Sequence, residues 1–141
     1  MNSLLVVGSV AIDSVESPYG KRDECFGGSA SYFSYAASFF TPVKLVAVVG
    51  KDFPDQFRAI LAERAIDLSG LEVAQGKTFR WKGKYEGDLN VAQTLDTQLN
   101  VFETFRPVIT DTACDFLFLA NIHPMLQMNV LDQVKKHVLV A

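Results

Sequence analysis

The chain has 141 residues, 49% hydrophobic and 21% charged, so it is long enough for one domain with a hydrophobic core. Its 13 basic and 16 acidic residues give a net charge of -3 with no Lys or Arg cluster, which argues against a nucleic-acid-binding surface. No apolar run is long enough to cross a bilayer and no basic region opens the chain, so we expect a cytoplasmic protein without a membrane partner.

The first third of the chain alternates between apolar and polar stretches. Residues 4–8 form a short apolar run closed by a glycine, which is typical of a strand buried on both faces. The polar stretch 13–24 predicts a loop or a short edge strand. Over residues 29–40 apolar side chains follow helical spacing on two sides, which predicts a largely buried helix that ends before Pro42.

A second strand and helix follow. Residues 44–49 predict an apolar strand, and Asp52 and Pro54 predict the N-cap and first turn of the next helix. Phe57 and Leu61 fall on one buried face of that helix. This order of strand and helix predicts a parallel sheet covered by helices.

The middle of the chain changes to a period of two. In residues 78–86, one side carries Phe79, Trp81 and Tyr85, and the other carries Arg80, Lys82, Lys84 and Glu86. The alternation continues more weakly over residues 95–101, and no helix separates the two segments. We therefore expect a small antiparallel sheet apart from the parallel one. Its aromatic face has to be covered by a ligand, the main domain or a second subunit.

The alternation of strand and helix then resumes. Residues 115–120 predict a buried strand, and residues 124–136 predict a helix whose apolar face carries Met128, Leu131 and Val134. The apolar residues 138–141 predict a further strand. Because a buried parallel strand normally leads into a covering helix, we expect the chain to end inside a domain.

Two short segments are candidates for binding a ligand. Asp13 follows the first strand, at the sheet edge where α/β proteins bind ligands, and its carboxylate could accept hydrogen bonds from two neighbouring hydroxyls. A solvated turn residue is the alternative. Gly27 and Gly28 precede the first helix and let the backbone approach a ligand beside free N–H groups. A plain N-cap, with Ser29 or Gly28 as the capping residue, is the alternative.

Together these segments resemble the ribokinase-like (PfkB) family of sugar and nucleoside kinases. The resemblance rests on Gly8 to Asp13, on Gly27-Gly28 opening a helix, and on the strand and Gly-x-Asp turn at residues 46–52. The inserted strand at 78–86 resembles the family's lid, and residues 116–124 resemble its strand leading into a proline-started helix.

The resemblance covers the whole chain and implies a ribokinase-like α/β fold. That fold has a Rossmann-type parallel sheet with helices on both faces and a small antiparallel β-sheet lid, here at about residues 14–26 and 76–104. Residues 1–141 would be the N-terminal substrate-binding part, truncated before the C-terminal ATP-binding part. The residues expected to bind substrate are Asp13, Gly27, Gly28, Ser29, Phe79, Trp81 and Asn121.

The family's Gly-Ala-Gly-Asp segment, which carries its catalytic aspartate, does not occur in this sequence. The resemblance therefore implies no catalytic residue in this chain, with ATP and Mg²⁺ bound mainly by the absent part. Neither His123 nor His137 has a metal-ligand partner at useful spacing, and Cys25 and Cys114 are expected to be reduced thiols. We expect no metal site and no activity of this chain alone.

The resemblance implies ATP-dependent phosphorylation of a sugar hydroxyl by the full-length protein. Ala11, Ser29, Tyr32 and Ile122 replace polar residues of ribokinases proper, which argues against ribose itself. A nucleoside kinase, with Phe79, Trp81 or Tyr32 stacking on a base, is one alternative. A non-catalytic pseudokinase or interaction module is another. A homodimer formed through the lid is the expected protein partner.

Overall fold

The computed structural model describes residues 3–110, 112–134 and 139–141. In this part of the chain the elements are, in order, β1 Leu4–Val7, β2 Ala11–Ser17, β3 Gly20–Gly27, α1 Ser29–Ala37, β4 Val43–Val49, α2 Asp55–Glu63, β5 Asp67–Val73, β6 Arg80–Tyr85, β7 Ala92–Gln98, a 3-10 turn Asn100–Phe102, β8 Phe116–Leu119, α3 Pro124–Gln133 and β9 Leu139–Val140. They form two sheets.

The main sheet has the strand order β5-β4-β1-β8-β9, and all its neighbouring strands are parallel. One face packs against α1 and α2, and the other packs against α3 and the segment that begins at the 3-10 turn. The predicted parallel sheet with helices on both faces is therefore confirmed. The sequence analysis did not predict β5, whose alternating polar residues are typical of an edge strand.

Along the central strands, successive side chains point alternately to the two faces of the main sheet. Val6, Leu45 and Ala47 belong to the core on the α1 and α2 side. Leu5, Val7, Val46 and Val48 belong to the core on the α3 side, together with Leu117 and Val130. Because both faces are covered, these strands are apolar at every position except Lys44 of β4, which is the pattern that predicted them.

The small sheet has the order β3-β2-β6-β7, and it is mixed rather than antiparallel. β2 pairs with β3 antiparallel and β6 with β7 antiparallel, but β2 pairs with β6 in parallel. The reason is that β2 follows β1 and β6 follows β5. Both strands leave the same edge of the parallel sheet in the same direction. The predicted purely antiparallel pairing was wrong at this one junction.

The polar stretch predicted as a loop or a short edge strand is a β-hairpin formed by β2 and β3. Its register shifts between Asp13 and Val15, where a bulge bends the strand. Most of β3 is exposed, so its polar composition reflects contact with water rather than a lack of regular structure.

Helix α1 is shorter and less buried than predicted. It ends at Ala37, and the side chains of the second predicted apolar stripe are exposed, with Tyr32 at 65%, Tyr35 at 39% and Phe39 at 60%. The small side chains of Ala30 and Ser34 face the core instead, and they let the helix lie close to the sheet. The second apolar stripe therefore points to solvent, and the prediction of burial on two sides was wrong.

Two predictions about helices α2 and α3 were also wrong, the second only in part. The residue before α2 is Pro54, and Asp52 makes hydrogen bonds to β6 and its approach instead of capping the helix. On α3, Val134 is buried as predicted, but Met128 and Leu131 are exposed and Val130 is buried in their place, so the predicted face is only partly correct. The predicted helix end at 135–136, the strand start at 138 and His137 lie outside the described residues.

Candidate functional site

The carboxyl ends of β1 and β8 meet the start of α1, and two serines join them. The Ser9 hydroxyl accepts the Ser29 N–H at 3.1 Å and lies 3.0 Å from the Ser29 hydroxyl oxygen. The Ser29 hydroxyl accepts the backbone N–H of Asn121 at 3.0 Å. Ser29, a predicted substrate-binding residue, thus holds three segments together through its hydroxyl.

Gly27 and Gly28 lie where a side chain would not fit. Gly28 has a φ of 94°, and a Cβ there would overlap the Ser9 carbonyl oxygen. A Cβ on Gly27 would overlap the carboxyl group of Asp13. The glycine pair therefore lets the start of α1 approach both the end of β1 and the Asp13 carboxylate.

Asp13 lies on β2 in register with Trp81 of β6, so both side chains point to the same face of the small sheet. Burial raises the pKa of Asp13, although a hydrogen bond from the backbone N–H of Gly28 opposes the rise. The Asp13 carboxylate keeps free acceptor sites, because an ionised carboxylate has about four.

Tyr32 lies near this carboxylate. Its pKa is raised by burial, by the negative charge of Asp13 and by nearby Cys25. The Tyr32 hydroxyl donates a hydrogen bond to the Phe26 carbonyl at 2.9 Å.

A cavity of about 860 Å³ opens between the small sheet and the start of α3. Its lining is mostly apolar and comes from Phe79, Trp81, Thr97, Leu99, Phe102, Glu103, Arg106 and residues 121–126. The Phe79 and Phe102 rings stack with their centroids 5.1 Å apart. A cavity of this size, with aromatic walls and few polar groups, is typical of a small-molecule site.

Three of the predicted site residues line this cavity, whereas Asp13, Gly27, Gly28 and Ser29 are not among its lining residues. Phe79, Trp81 and Asn121 line it, and the partner of Trp81 in register is Asp13. Asn121 is exposed, and its backbone N–H ties it to the start of α1. Phe102 and Arg106 were not identified from the sequence, because Phe102 ends the 3-10 turn and Arg106 follows it in a segment without periodicity.

The opposite side of β6 carries an ionic cluster that sequence analysis missed. Asp52 accepts hydrogen bonds from the Thr78 N–H at 2.7 Å, the Thr78 hydroxyl at 2.8 Å and the Arg80 guanidinium at 3.0 Å. Arg80 also pairs with Glu24 of β3 at 2.6 Å. Burial alone raises the pKa of Asp52, but these hydrogen bonds outweigh it and hold the pKa below its usual value.

This cluster joins β6 and β3 to the turn after β4. The signal in the sequence was an aspartate two residues after Gly50, which also fits a helix cap. The sequence does not show whether Asp52 caps a helix or binds β6, because its partner Thr78 lies 26 residues away.

No group of three or more His, Cys, Asp or Glu side chains that could bind a metal occurs among residues 3–110, 112–134 and 139–141. Within the same ranges, no helix is long and apolar enough to span a bilayer.

No protein-family model matches the chain. A curated relative, the cytidine kinase of Thermococcus kodakarensis, is 34% identical over 92 residues, which is 64% of this chain and 33% of that protein. This chain therefore spans about a third of the relative's length.

Several solved structures share the fold. The nucleoside kinase of Methanocaldococcus jannaschii, an archaeal member of the ribokinase family, matches 99% of this chain with a TM-score of 0.74 and 16% identity. The ribokinase of Cryptococcus neoformans in complex with ADP matches 94% with a TM-score of 0.79 and 19% identity. The Burkholderia thailandensis nucleoside kinase in complex with inosine matches 82% with a TM-score of 0.68 and 15% identity.

The chain spans 51%, 47% and 42% of these three structures. It therefore has the ribokinase-like fold over about half the length of such proteins, and the resemblance stated from the sequence is confirmed at the level of the fold.

Proposed function

We propose that this chain forms the substrate-binding half of an ATP-dependent kinase that phosphorylates a nucleoside hydroxyl. The observation that carries the proposal is the cavity lined by Phe79 and Trp81, together with a half-buried carboxylate, Asp13, in register with Trp81 on the neighbouring strand. A free sugar needs the carboxylate but has no flat apolar group to place between aromatic rings. A nucleoside has both a hydroxyl-bearing ring and a base.

In this proposal Asp13 accepts hydrogen bonds from two hydroxyls of the ribose. Its position above Gly27 and beside the Gly28 N–H orients the carboxylate before the ligand arrives. Burial strengthens the hydrogen bonds that it would accept, because little water competes for the same oxygens. Gly27 and Gly28 contribute through their backbone, which lies close to the substrate.

The base would lie against Trp81 and Phe79, whose rings provide an apolar surface. Asn121 and Arg106 line the same cavity and can hydrogen-bond to the edge of a base. The similarity to a cytidine kinase supports this assignment, as do the two structural relatives that are nucleoside kinases. Phosphorylation of a free sugar, which Asp13 also permits, is the second candidate.

The proposal gives this chain binding and orientation, and gives the transfer step to residues that it does not contain. The aspartate that would deprotonate the attacking hydroxyl belongs to a segment that the sequence lacks. We therefore expect the purified chain to form no ADP from ATP and cytidine in a coupled assay. Turnover dependent on the chain would contradict this division of roles.

A ligand panel tests the substrate class. Cytidine, inosine, ribose and fructose are added separately to the 141-residue chain, and thermal unfolding is followed by circular dichroism. We expect a concentration-dependent rise in the melting temperature with a nucleoside and a much smaller one with either sugar. A rise with ribose or fructose alone would favour the second candidate. If none of the four ligands stabilises the chain or binds to it in calorimetry, the proposal is wrong.

A further inference from the structure

Trp81 is the only tryptophan of the chain, and its indole is held in one orientation by two neighbours. Its ring nitrogen donates a hydrogen bond to the Thr94 hydroxyl at 3.2 Å. Its six-membered ring lies over Gly83, where an added Cβ would overlap the ring atoms Cη2 and Cζ2. The indole therefore crosses the sheet from β6 to β7 over the surface of a glycine.

A register shift makes this arrangement possible. Lys82 is opposite Asp96, but Gly83 is opposite Thr94, so β7 has one extra residue, Leu95, at this point. In a regular ladder Leu95 would be opposite Gly83, and Thr94 would point to the other face. The bulge brings the Thr94 hydroxyl to the face that carries Trp81.

We infer that Gly83 and Thr94 are positioning residues, which hold the Trp81 indole as the wall of the cavity on which a nucleobase stacks. This inference rests on the proposed function for the identity of the ligand. The position of the indole is independent of the proposed function. Without the glycine the ring would have to leave its place, and without the hydroxyl its nitrogen would lose its protein partner.

The test uses three variants of the 141-residue chain and one control. Gly83→Ala introduces the Cβ that the ring excludes, Thr94→Val removes the hydroxyl at nearly constant volume, and Thr94→Ser keeps it. Lys82→Ala changes the opposite face of the same strand and is the control. The first measurement, quenching of Trp81 fluorescence by acrylamide, requires no ligand.

We expect a red-shifted emission and a larger quenching constant for Gly83→Ala and Thr94→Val, and values near those of the parent for Thr94→Ser and Lys82→Ala. In calorimetry with cytidine, the first two variants should bind about tenfold more weakly, which is the loss expected for a disturbed stacking surface. Should Gly83→Ala fail to fold by circular dichroism, the two Thr94 variants decide the outcome.

Unchanged quenching in both Gly83→Ala and Thr94→Val would overturn the inference, because the indole would then not depend on either residue. Altered quenching with unchanged cytidine affinity would also overturn it, because the held orientation would not serve the ligand. Failure of the parent chain to bind any nucleoside contradicts the proposed function instead, while the quenching data still decide whether the two residues hold the indole.

Discussion

Asp13 and Asp52 lie near the base of the small sheet, on opposite sides of it, and their surroundings differ. Asp52 accepts three hydrogen bonds, from the Thr78 N–H, the Thr78 hydroxyl and Arg80. These bonds hold its pKa below the usual value. Asp13 is half-buried beside a glycine pair, and this burial raises its pKa.

The difference separates a structural carboxylate from one prepared for a ligand. A carboxylate whose acceptor sites are filled stabilises the fold, whereas one that is desolvated with sites still open is stabilised by what it binds. In strand β6 the residue next in the sequence to Trp81 is Arg80, so adjacent residues serve the two roles.

The largest loss of stability is expected for Thr78→Val. Thr78 is fully buried, and its hydroxyl accepts the Gly50 N–H at 3.0 Å while it donates to Asp52. Valine would leave the buried N–H without this partner, so the free energy of unfolding should fall by about 2–3 kcal/mol. Urea denaturation measures it. Thr97→Val, at an exposed position on β7, is the control. Equal stability of the two variants would show that the Asp52 cluster does not anchor the sheet.

Asp52→Asn should cost about 1–2 kcal/mol near neutral pH, because the charge-assisted hydrogen bonds become neutral ones. The folded pKa of Asp52 lies below its unfolded value of 3.8, so its stabilising contribution is present above that pH. It is lost as the pH falls through the folded pKa. The gap between parent and variant in urea denaturation should therefore close in acid. A gap that is independent of pH would exclude the charge as its cause.

Asp13→Asn should change the free energy of unfolding in the opposite direction to Asp52→Asn. The folded pKa of Asp13 lies above 3.8, so ionisation of Asp13 disfavours the folded state. The variant should be slightly more stable than the parent near neutral pH, by less than about 1 kcal/mol. This gain should appear as the pH rises from 3.8 through the folded pKa of Asp13. A variant less stable than the parent across the whole range would mean that the carboxylate is structural.

Lys82→Ser should have the smallest effect, within about 0.5 kcal/mol of the parent in stability, since Lys82 lies on the side of β6 away from the cavity. Its affinity for cytidine should equal that of the parent. Trp81→Ser, on the cavity side, should weaken cytidine binding about tenfold. Comparable losses in the two variants would mean that the assignment of faces on β6 is wrong.

Strands β1 and β4 of the main sheet could be predicted because burial on both faces leaves a nearly continuous apolar run, as in residues 4–7 and 43–49. Strand β6 was predicted because its side chains alternate between a face that lines the cavity and a face that carries charged residues. The polarity pattern left most of the hairpin β2–β3 as a loop or a short edge strand, because pairing between backbone groups leaves no signature in exposed polar side chains. Only the family resemblance placed residues 14–26 in the β-sheet lid.

The site was predictable where a residue type is required by local geometry. Gly27, Gly28 and Asp13 lie together in the structure, although their roles in binding stay proposals. The partners of Asp52 and the bulge at Leu95 depend on contacts between distant segments, which no local pattern contains. Pairing of two copies through the small sheet also stays a prediction.

Calorimetric titration of cytidine into the parent chain, Asp13→Asn and Asp52→Asn tests the central claim most directly. We predict that cytidine binds the parent, and that Asp13→Asn weakens binding about a hundredfold, because hydrogen bonds from two hydroxyls to a charged acceptor are lost. Asp52→Asn should bind within a few-fold of the parent. Equal affinities of the parent and Asp13→Asn, or an equal loss in both variants, would contradict the assignment of Asp13 to the substrate.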